Sequence, residues 1–540
     1  MQMKQASLAL EASFVGHLSL LHFLVIYRDK RWYIYTKCEN LTLLYIMENK
    51  EKQNGYSHIM KYTGLFGGIQ MLNMLVGVVR NKMVAMILGP GGMGLLSLFN
   101  STIKLVSEST NMGISMSGVK TISQNFDDEA NDKLCESVKM IRLWSLLTAL
   151  MGFVVCALFG SSINSLTFTW GDHSFHYMML SPAIAFMAIT GGETAVLKGT
   201  RQLTNLMMIS FYYVLITAVI SVPIYYYIGE KGIVPSLVLA AFVNTVLALY
   251  CSTKKYPYRL SFNKELLVKG SSMIRLGIAL VLAGILGSGA DFLIRTILNT
   301  YGYLDEVGLY NAGYMMIFVY AGIVFSAMES DYFPRLSAIR DDVEAQNKCV
   351  NQQIEVTLLL ISPLLIAFLI GMPILLPLLY SGHFMPVLGM IQVAVMAMFV
   401  RALALPVEYI PLAKGNSILY LFIEALYDIM IVVLTFVLYN WMGLLGAGVA
   451  LTLSMIVDYV VAYIVIKAKY GYSISIEVLK YVAMQFPLGI LAFLVTMVES
   501  RLLYWSMGLL LIMVSLAISL TILHKKTTLW EKLKKKILRR

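Results

Sequence analysis

Charge is what this chain has least of. Lys, Arg, Asp and Glu together make up 14% of its 540 residues, against 58% hydrophobic residues. A soluble domain carries about 25% charged residues, and a mean hydropathy of +0.72 leaves more apolar surface than a soluble core can hide. The composition therefore excludes a soluble protein and identifies a polytopic membrane protein. Cysteine is scarce too: Cys38, Cys135, Cys156, Cys251 and Cys349 show no ligand-like spacing, so neither a disulfide framework nor a metal site is indicated, and no cofactor is expected. Long polar stretches are missing as well, which leaves no sizeable soluble domain.

What is there is a series of apolar runs, each long enough to cross a hydrocarbon core of about 30 Å. They are placed at 65–88, 93–119, 141–163, 175–197, 206–228 and 232–252, then at 272–299, 306–330, 354–379, 385–412, 417–439 and 442–466, with a last pair at 477–498 and 502–523. The expected fold is an all-α polytopic membrane protein of about 14 transmembrane helices, built as two parallel six-helix lobes plus two C-terminal helices. The expected divisions are an N-terminal extension over 1–60, an N-lobe over 61–253, a C-lobe over 254–470, and the extra helices with a basic tail over 471–540. Six spans per lobe is an even number, so both lobes enter the membrane in the same direction and a pseudo-two-fold axis lies along the membrane normal.

Lys and Arg set the orientation. One set of loops carries Lys120, Lys133, Lys139, Arg142, Lys198, Arg201, Lys254, Lys255, Arg259, Lys264, Lys269, Arg335, Arg340, Lys348, Lys414, Lys467 and Lys469, while the other offers little beyond Lys231 and Arg501. The basic side is expected to be cytoplasmic, and the basic tail from Lys525 to Arg540 joins it. Such a tail meets anionic lipid at the bilayer surface, with no nucleic acid partner expected.

Residues 12–27 form a short apolar stretch interrupted by His17 and His22 and followed by Arg28, Lys30 and Arg31. A marginal span, an interfacial segment, and sequence upstream of a true start at Met47 are all open readings.

The two lobes echo each other. Arg80 and Arg295 recur at an offset of 215 (295 − 80), Gly94 to Asn100 face Gly308 to Tyr314, Lys120 faces Arg335, and Asp127-Asp128-Glu129-Ala130 answers Asp341, Asp342, Glu344 and Ala345. Matches in the charged loops argue for duplication over chance similarity of apolar runs.

A charge inside a bilayer costs at least ~2.5–3.5 kcal/mol and needs a polar partner or a watery cavity. Gln70, Asn73, Gly77 and Arg80 share one face of the first span; Lys82 points elsewhere and has a snorkelling alternative. On the seventh span Asp291 and Arg295 lie one turn apart, so they either neutralise each other in place or face an anionic ligand. Lys104 and Glu108 on the second span, Arg401 and Glu408 on the tenth, Glu193 on the fourth, Glu424 and Asp428 on the eleventh and Asp458 on the twelfth complete the set.

Arg80, Arg295 and Lys104, with Lys82 and Arg401, are the candidate substrate-binding cations, because a guanidinium fork never loses its charge and suits pyrophosphate. Asp291, Glu424, Asp428, Glu193 and Glu108 are the candidate ion-coupling acids, with helix-interface hydrogen bonding as the competing role. Pro182, Gly191-Gly192, Pro363, Gly371, Pro373, Pro406 and Pro411 are expected to kink their spans.

The segment Gly77-Val78-Val79-Arg80-Asn81-Lys82, followed by Leu88-Gly89-Pro90-Gly91-Gly92-Met93-Gly94-Leu95, resembles the bacterial O-antigen and polysaccharide repeat-unit flippases of the multidrug/oligosaccharidyl-lipid/polysaccharide exporter superfamily. The resemblance extends in architecture over about residues 58–525. It implies translocation of an undecaprenyl-diphosphate-linked glycan across the bacterial inner membrane by alternating access, H+ or Na+ as the coupling ion, and polysaccharide polymerase or ligase as partners. The family's positively charged cavity would map onto Arg80 and Arg295. Two alternatives remain: a small-molecule exporter of the same superfamily, and a membrane-embedded polysaccharide enzyme, for which Asp172, His173 and His176 are the one outside cluster, against a reading as a solvated loop.

Overall fold

The computed structural model describes residues 41–126, 131–168, 172–258, 264–339 and 341–526. Most of the N-terminal extension and the basic tail beyond Lys526 lie outside the described residues. Those described are helical almost throughout, with no strand among them, as bilayer burial requires: every backbone N–H and C=O must be satisfied within its own segment.

Fourteen α-helices are arranged in chain order: α1 (Leu41–Thr110), α2 (Ile114–Phe126), α3 (Asn131–Thr167), α4 (Ser174–Gly199), α5 (Leu203–Ile228), α6 (Ile233–Thr253), α7 (Lys264–Tyr314), α8 (Ile323–Ala338), α9 (Val343–Leu379), α10 (Leu388–Ala413), α11 (Ser417–Met442), α12 (Leu444–Tyr470), α13 (Ile476–Val495) and α14 (Arg501–Lys526). The chain divides into two compact units, Met1–Met71 and Leu72–Arg540. The first is helical from Leu41 onward; the second runs from the rest of α1 through α14. Ten segments among the described residues are long and apolar enough to cross a membrane.

Helices and expected spans do not correspond one to one, because two helices continue across a kink. Gly89 interrupts α1 with φ 67° and ψ −171°, and Tyr303 interrupts α7 with φ 66° and ψ 173°. Each therefore reaches through parts of two expected spans. The shared conformation recurs at an offset of 214 (303 − 89), and left-handed backbone recurs at the same offset at Gly229 and Gly443 and at Arg201 and Gly415. The duplication read from side chains is thus repeated in the backbone. Gly89, Gly229, Tyr303 and Gly443 define one face of the bundle, the kink face; the lysine-rich loops define the opposite one, the basic face.

Second spans of both lobes are broken. In the N-lobe, Met112 (φ 49°) and Gly113 (φ 68°) separate α1 from α2; in the C-lobe, a π-helical stretch, Met315–Ala321, lies between α7 and α8. The expected single spans at 93–119 and 306–330 are corrected accordingly. Pro182, Pro363, Pro373, Pro406 and Pro411 sit inside α4, α9 and α10 without interrupting them.

The lobes meet where equivalent residues touch. A Cβ on Gly94 would run into the carbonyl oxygen of Leu304, and a Cβ on Gly308 into that of Pro90. Each glycine thus faces the carbonyl four residues before its counterpart, the reciprocal pattern of a two-fold contact. Only glycine permits that backbone approach. One turn deeper Ser97 Oγ donates to Asn311 Oδ1 at 3.0 Å, again across equivalent positions. The C-terminal pair leans on α9: the Tyr504 hydroxyl donates to the Ile370 carbonyl at 2.7 Å, and Gln485 of α13 bonds Ser515 and Ser519 of α14.

Candidate functional site

Backbone register decides where the two arginines point. The kinks fix the lobe equivalence at 214 residues, whereas Arg80 and Arg295 are 215 apart, so Arg295 is equivalent to Asn81. One residue turns a side chain by about 100° around a helix. Arg295 and Asn81 accordingly face the opposite lobe, Asn81 Nδ2 reaching Tyr320 at 3.3 Å. Arg80 turns back into its own lobe.

Arg295 is 7% exposed and fully engaged. Its Nε donates to Ser97 Oγ at 2.7 Å, one terminal nitrogen lies 3.0 Å from Asp291 Oδ1 and donates to the Asp291 carbonyl at 2.9 Å, and Tyr310 and Tyr314 rings lie beneath it. Lys104, half-exposed, approaches the other Asp291 oxygen at 3.8 Å. Asp291 thus lies between two cations, and Lys104 is the more exposed of them.

Arg80 is half-buried and its neighbours are hydroxyls. Nε donates to Ser221 Oγ at 3.1 Å, the Tyr225 hydroxyl bonds it, and Tyr213 lies close enough to feel its charge. No carboxylate pairs with it among the described residues. A guanidinium inside a bilayer with neutral partners alone retains its full charge for an anion.

Acids gather in the C-lobe. Asp428 sits against Gly287 of α7 and near Asp291, Glu424 and Lys104. Glu424 bonds the Tyr420 hydroxyl. Glu408 and Asp458 face each other, and Glu408 Oε1 and Asp458 Oδ1 are buried without a hydrogen-bond donor. Two facing carboxylates cannot satisfy each other unless a proton or a small cation lies between them. Arg401 lies over Phe318 and Phe325, at 5.7 and 5.8 Å from their ring centres, and near the same acid pair. Across the seam Glu108 Oε2 is buried without a partner beside Gly284.

The structure brings together Lys104, Arg295, Asp291, Asp428 and Glu424, with Arg401 and Glu108 at the margins. Three residues stand apart. Lys82 donates to the Pro377 and Leu378 carbonyls, at 3.5 and 2.5 Å, where the end of α9 leaves carbonyls unpaired. Glu193 is locked into a bidentate pair with Arg142, both 2% exposed, at 2.8 and 3.1 Å; Arg142 also holds the Tyr256 and Pro257 carbonyls and the Ser252 hydroxyl. Arg80 stands alone in the N-lobe. The candidate residues thus fall into two groups: a cation among hydroxyls in one, and a seam with a cluster of acids in the other. Ser97, Asn311, Ser221 and Tyr225 were not expected in the site. No local pattern marks them, since their partners lie on other helices.

Asp172, His173 and His176 lie together where α4 begins. Asp172 is exposed, whereas His173 rests on Phe168 at 4.3 Å between ring centres and lies 6.4 Å from Phe99. Asp172 is held below the usual carboxylate range by hydrogen bonds from Ser174, and burial followed by the facing His176 holds His173 below the ordinary histidine value.

The sequence profile of a family described as polysaccharide biosynthesis protein matches residues 55–388. No curated protein matches the chain in sequence. Among solved structures, the fold is similar to the lipid II flippase MurJ in an inward closed conformation, with TM-score 0.65 and 11% identity over 85% of this chain and 99% of that one. It is also similar to an inward-facing multidrug resistance MATE transporter of the MOP superfamily, with TM-score 0.62 and 14% identity over 74% and 94% of the two chains.

Proposed function

The chain belongs to the polysaccharide biosynthesis protein family, and on that premise we propose that it is a flippase moving an undecaprenyl-diphosphate-linked oligosaccharide from the cytoplasmic to the outer leaflet of the inner membrane. The observation that carries this reading is Arg80, an intramembrane guanidinium whose described partners are all hydroxyls. A diphosphate supplies the missing negative charge and the acceptors for its fork. Lys104 offers a second, flexible cation at the seam as the lobes rock between states.

Coupling falls to the acids. Glu408 and Asp458, with Glu424 and Asp428 nearby, hold a proton or sodium ion in one state of the lobe and release it in the other. The basic face is cytoplasmic in this reading and the kink face outward.

The test is a proteoliposome assay following a fluorescent undecaprenyl-diphosphate oligosaccharide under imposed proton or sodium gradients. Wild-type protein should translocate it, Arg80→Lys should keep part of the rate, and Arg80→Ala should lose at least about tenfold, the loss of one charge-assisted contact. Transport by Arg80→Ala at the wild-type rate would remove the basis of the proposal.

One observation favours a second reading, a small-molecule antiporter of the same superfamily. Acids outnumber cations around Arg401, as a pocket for cationic drugs would require. Unchanged surface polysaccharide with raised drug susceptibility in a deletion strain would select it.

A further inference from the structure

The proposed transport path leaves unused the histidine pair at the start of α4. His173 and His176 present their Nδ1 atoms to each other at 3.3 Å. Such a contact is satisfied when one nitrogen carries the proton and the other accepts it; two protonated rings oppose each other. The Asp172 carboxylate acts on both rings from the adjoining turn. Phe99 and Phe168 cover the rings, the Asp172 carboxylate is turned to the Ser174 amide at 2.9 Å, the Tyr177 hydroxyl sits between Thr167 and Thr102, and the Cys156 thiol donates to the Tyr177 carbonyl.

The same turn carries a tie between the lobes. Asn299 of α7, 1% exposed, donates through Nδ2 to the Thr167 carbonyl at 2.7 Å. Phe168, the next residue, is the ring on which His173 rests, and the His173 amide is itself held by Asn164 at 2.9 Å. Histidine pair, Phe168 and interlobe bond thus form one packed chain of contacts.

We infer that His173 and His176 form a proton-binding site that unlatches the kink face: uptake of a second proton drives the rings apart, displaces Phe168, and frees Asn299 from Thr167. The proton comes from the aqueous phase on that face and adds to a ring-nitrogen lone pair, so no covalent bond is broken. The inference rests on the transporter reading only in requiring this face to open.

Linkage fixes the sign. In the closed state burial and the facing His176 hold His173 below its ordinary value, while an open, solvated ring titrates near about 6.5. The closed state therefore binds the proton more weakly and is favoured at higher pH. Between the depressed value of His173 and about pH 6.5, each unit of acidification shifts the balance toward the open state by up to about tenfold.

The test needs no lipid-linked sugar. Full-length protein in nanodiscs, its native cysteines replaced, carries spin labels at Leu166→Cys and Tyr301→Cys, two exposed positions beside the tie. Electron–electron resonance between pH 8 and pH 5.5 should show a longer-distance population growing at least fivefold on acidification. His173→Gln and His176→Gln should each flatten that response, and Asn299→Ala should raise the long population at every pH. A wild-type distribution independent of pH, a response retained in both glutamine variants, or an Asn299→Ala distribution like the wild type at pH 8 would overturn the inference. Failure of glycan-lipid transport would leave this distance readout intact, so the two proposals fail separately.

Discussion

A guanidinium paired with an acid on its own helix and one held by hydroxyls alone should respond differently to removal. Arg295→Ala leaves Asp291 without its main partner and the Ser97 hydroxyl without its donor, so a stability loss of about 3 kcal/mol is expected, at the low end for broken buried pairs because Lys104 remains nearby. Arg80→Ala should change thermal stability by under about 1 kcal/mol, since hydroxyls rehydrate or bond one another, while transport is lost. Thermal unfolding in detergent, read beside transport, separates the two. The sequence made half of this legible. That Arg80 has no acid within a turn is a local fact, whereas the partners of Arg295 on the second and eighth spans are brought to it only by the lobe contact.

Helices show most plainly what a sequence can and cannot declare. Lipid forces each span to be an apolar run, so nearly every span is found close to its expected place. Their interruptions obey another logic. Pro182 and Pro406 do not break their helices, while Tyr303, an unremarkable residue for a turn, adopts the conformation of Gly89 because duplication has fixed the geometry there. The π-helical stretch at Met315–Ala321 has no residue signature at all; Arg401 lies over Phe318 within it and Phe325 beyond it. Close approach at Gly94 yields a direct expectation. Gly94→Ala places a methyl against the Leu304 carbonyl, backbone that cannot swing aside, and should cost about 1–3 kcal/mol of stability and reduce transport. Gly77→Ala, with open space around it, serves as the control and should be tolerated.

At the scale of the molecule, rocking of the lobes requires contacts on one face to part. Ser97→Cys with Asn311→Cys should form a disulfide on mild oxidation, since the native oxygens are 3.0 Å apart, and should arrest transport reversibly. Undiminished transport by the cross-linked protein would mean this contact does not separate. Orientation is checked independently: Asp172→Cys should react with a membrane-impermeant maleimide in intact cells, and Lys414→Cys only after permeabilisation. The reciprocal glycines carry a further consequence. A half-length ancestor pairing with its own copy would have set the same residue on both sides of the axis, so that every mutation there was made twice. Fusion of such halves would end that constraint. One side of the axis now holds a serine that gives a hydrogen and the other an asparagine that takes it, and an arginine occupies the seam on one side where asparagine stands on the other. Two unlike ligands, such as the anionic lipid and the cation proposed above, can be held only by lobes that have stopped being symmetric.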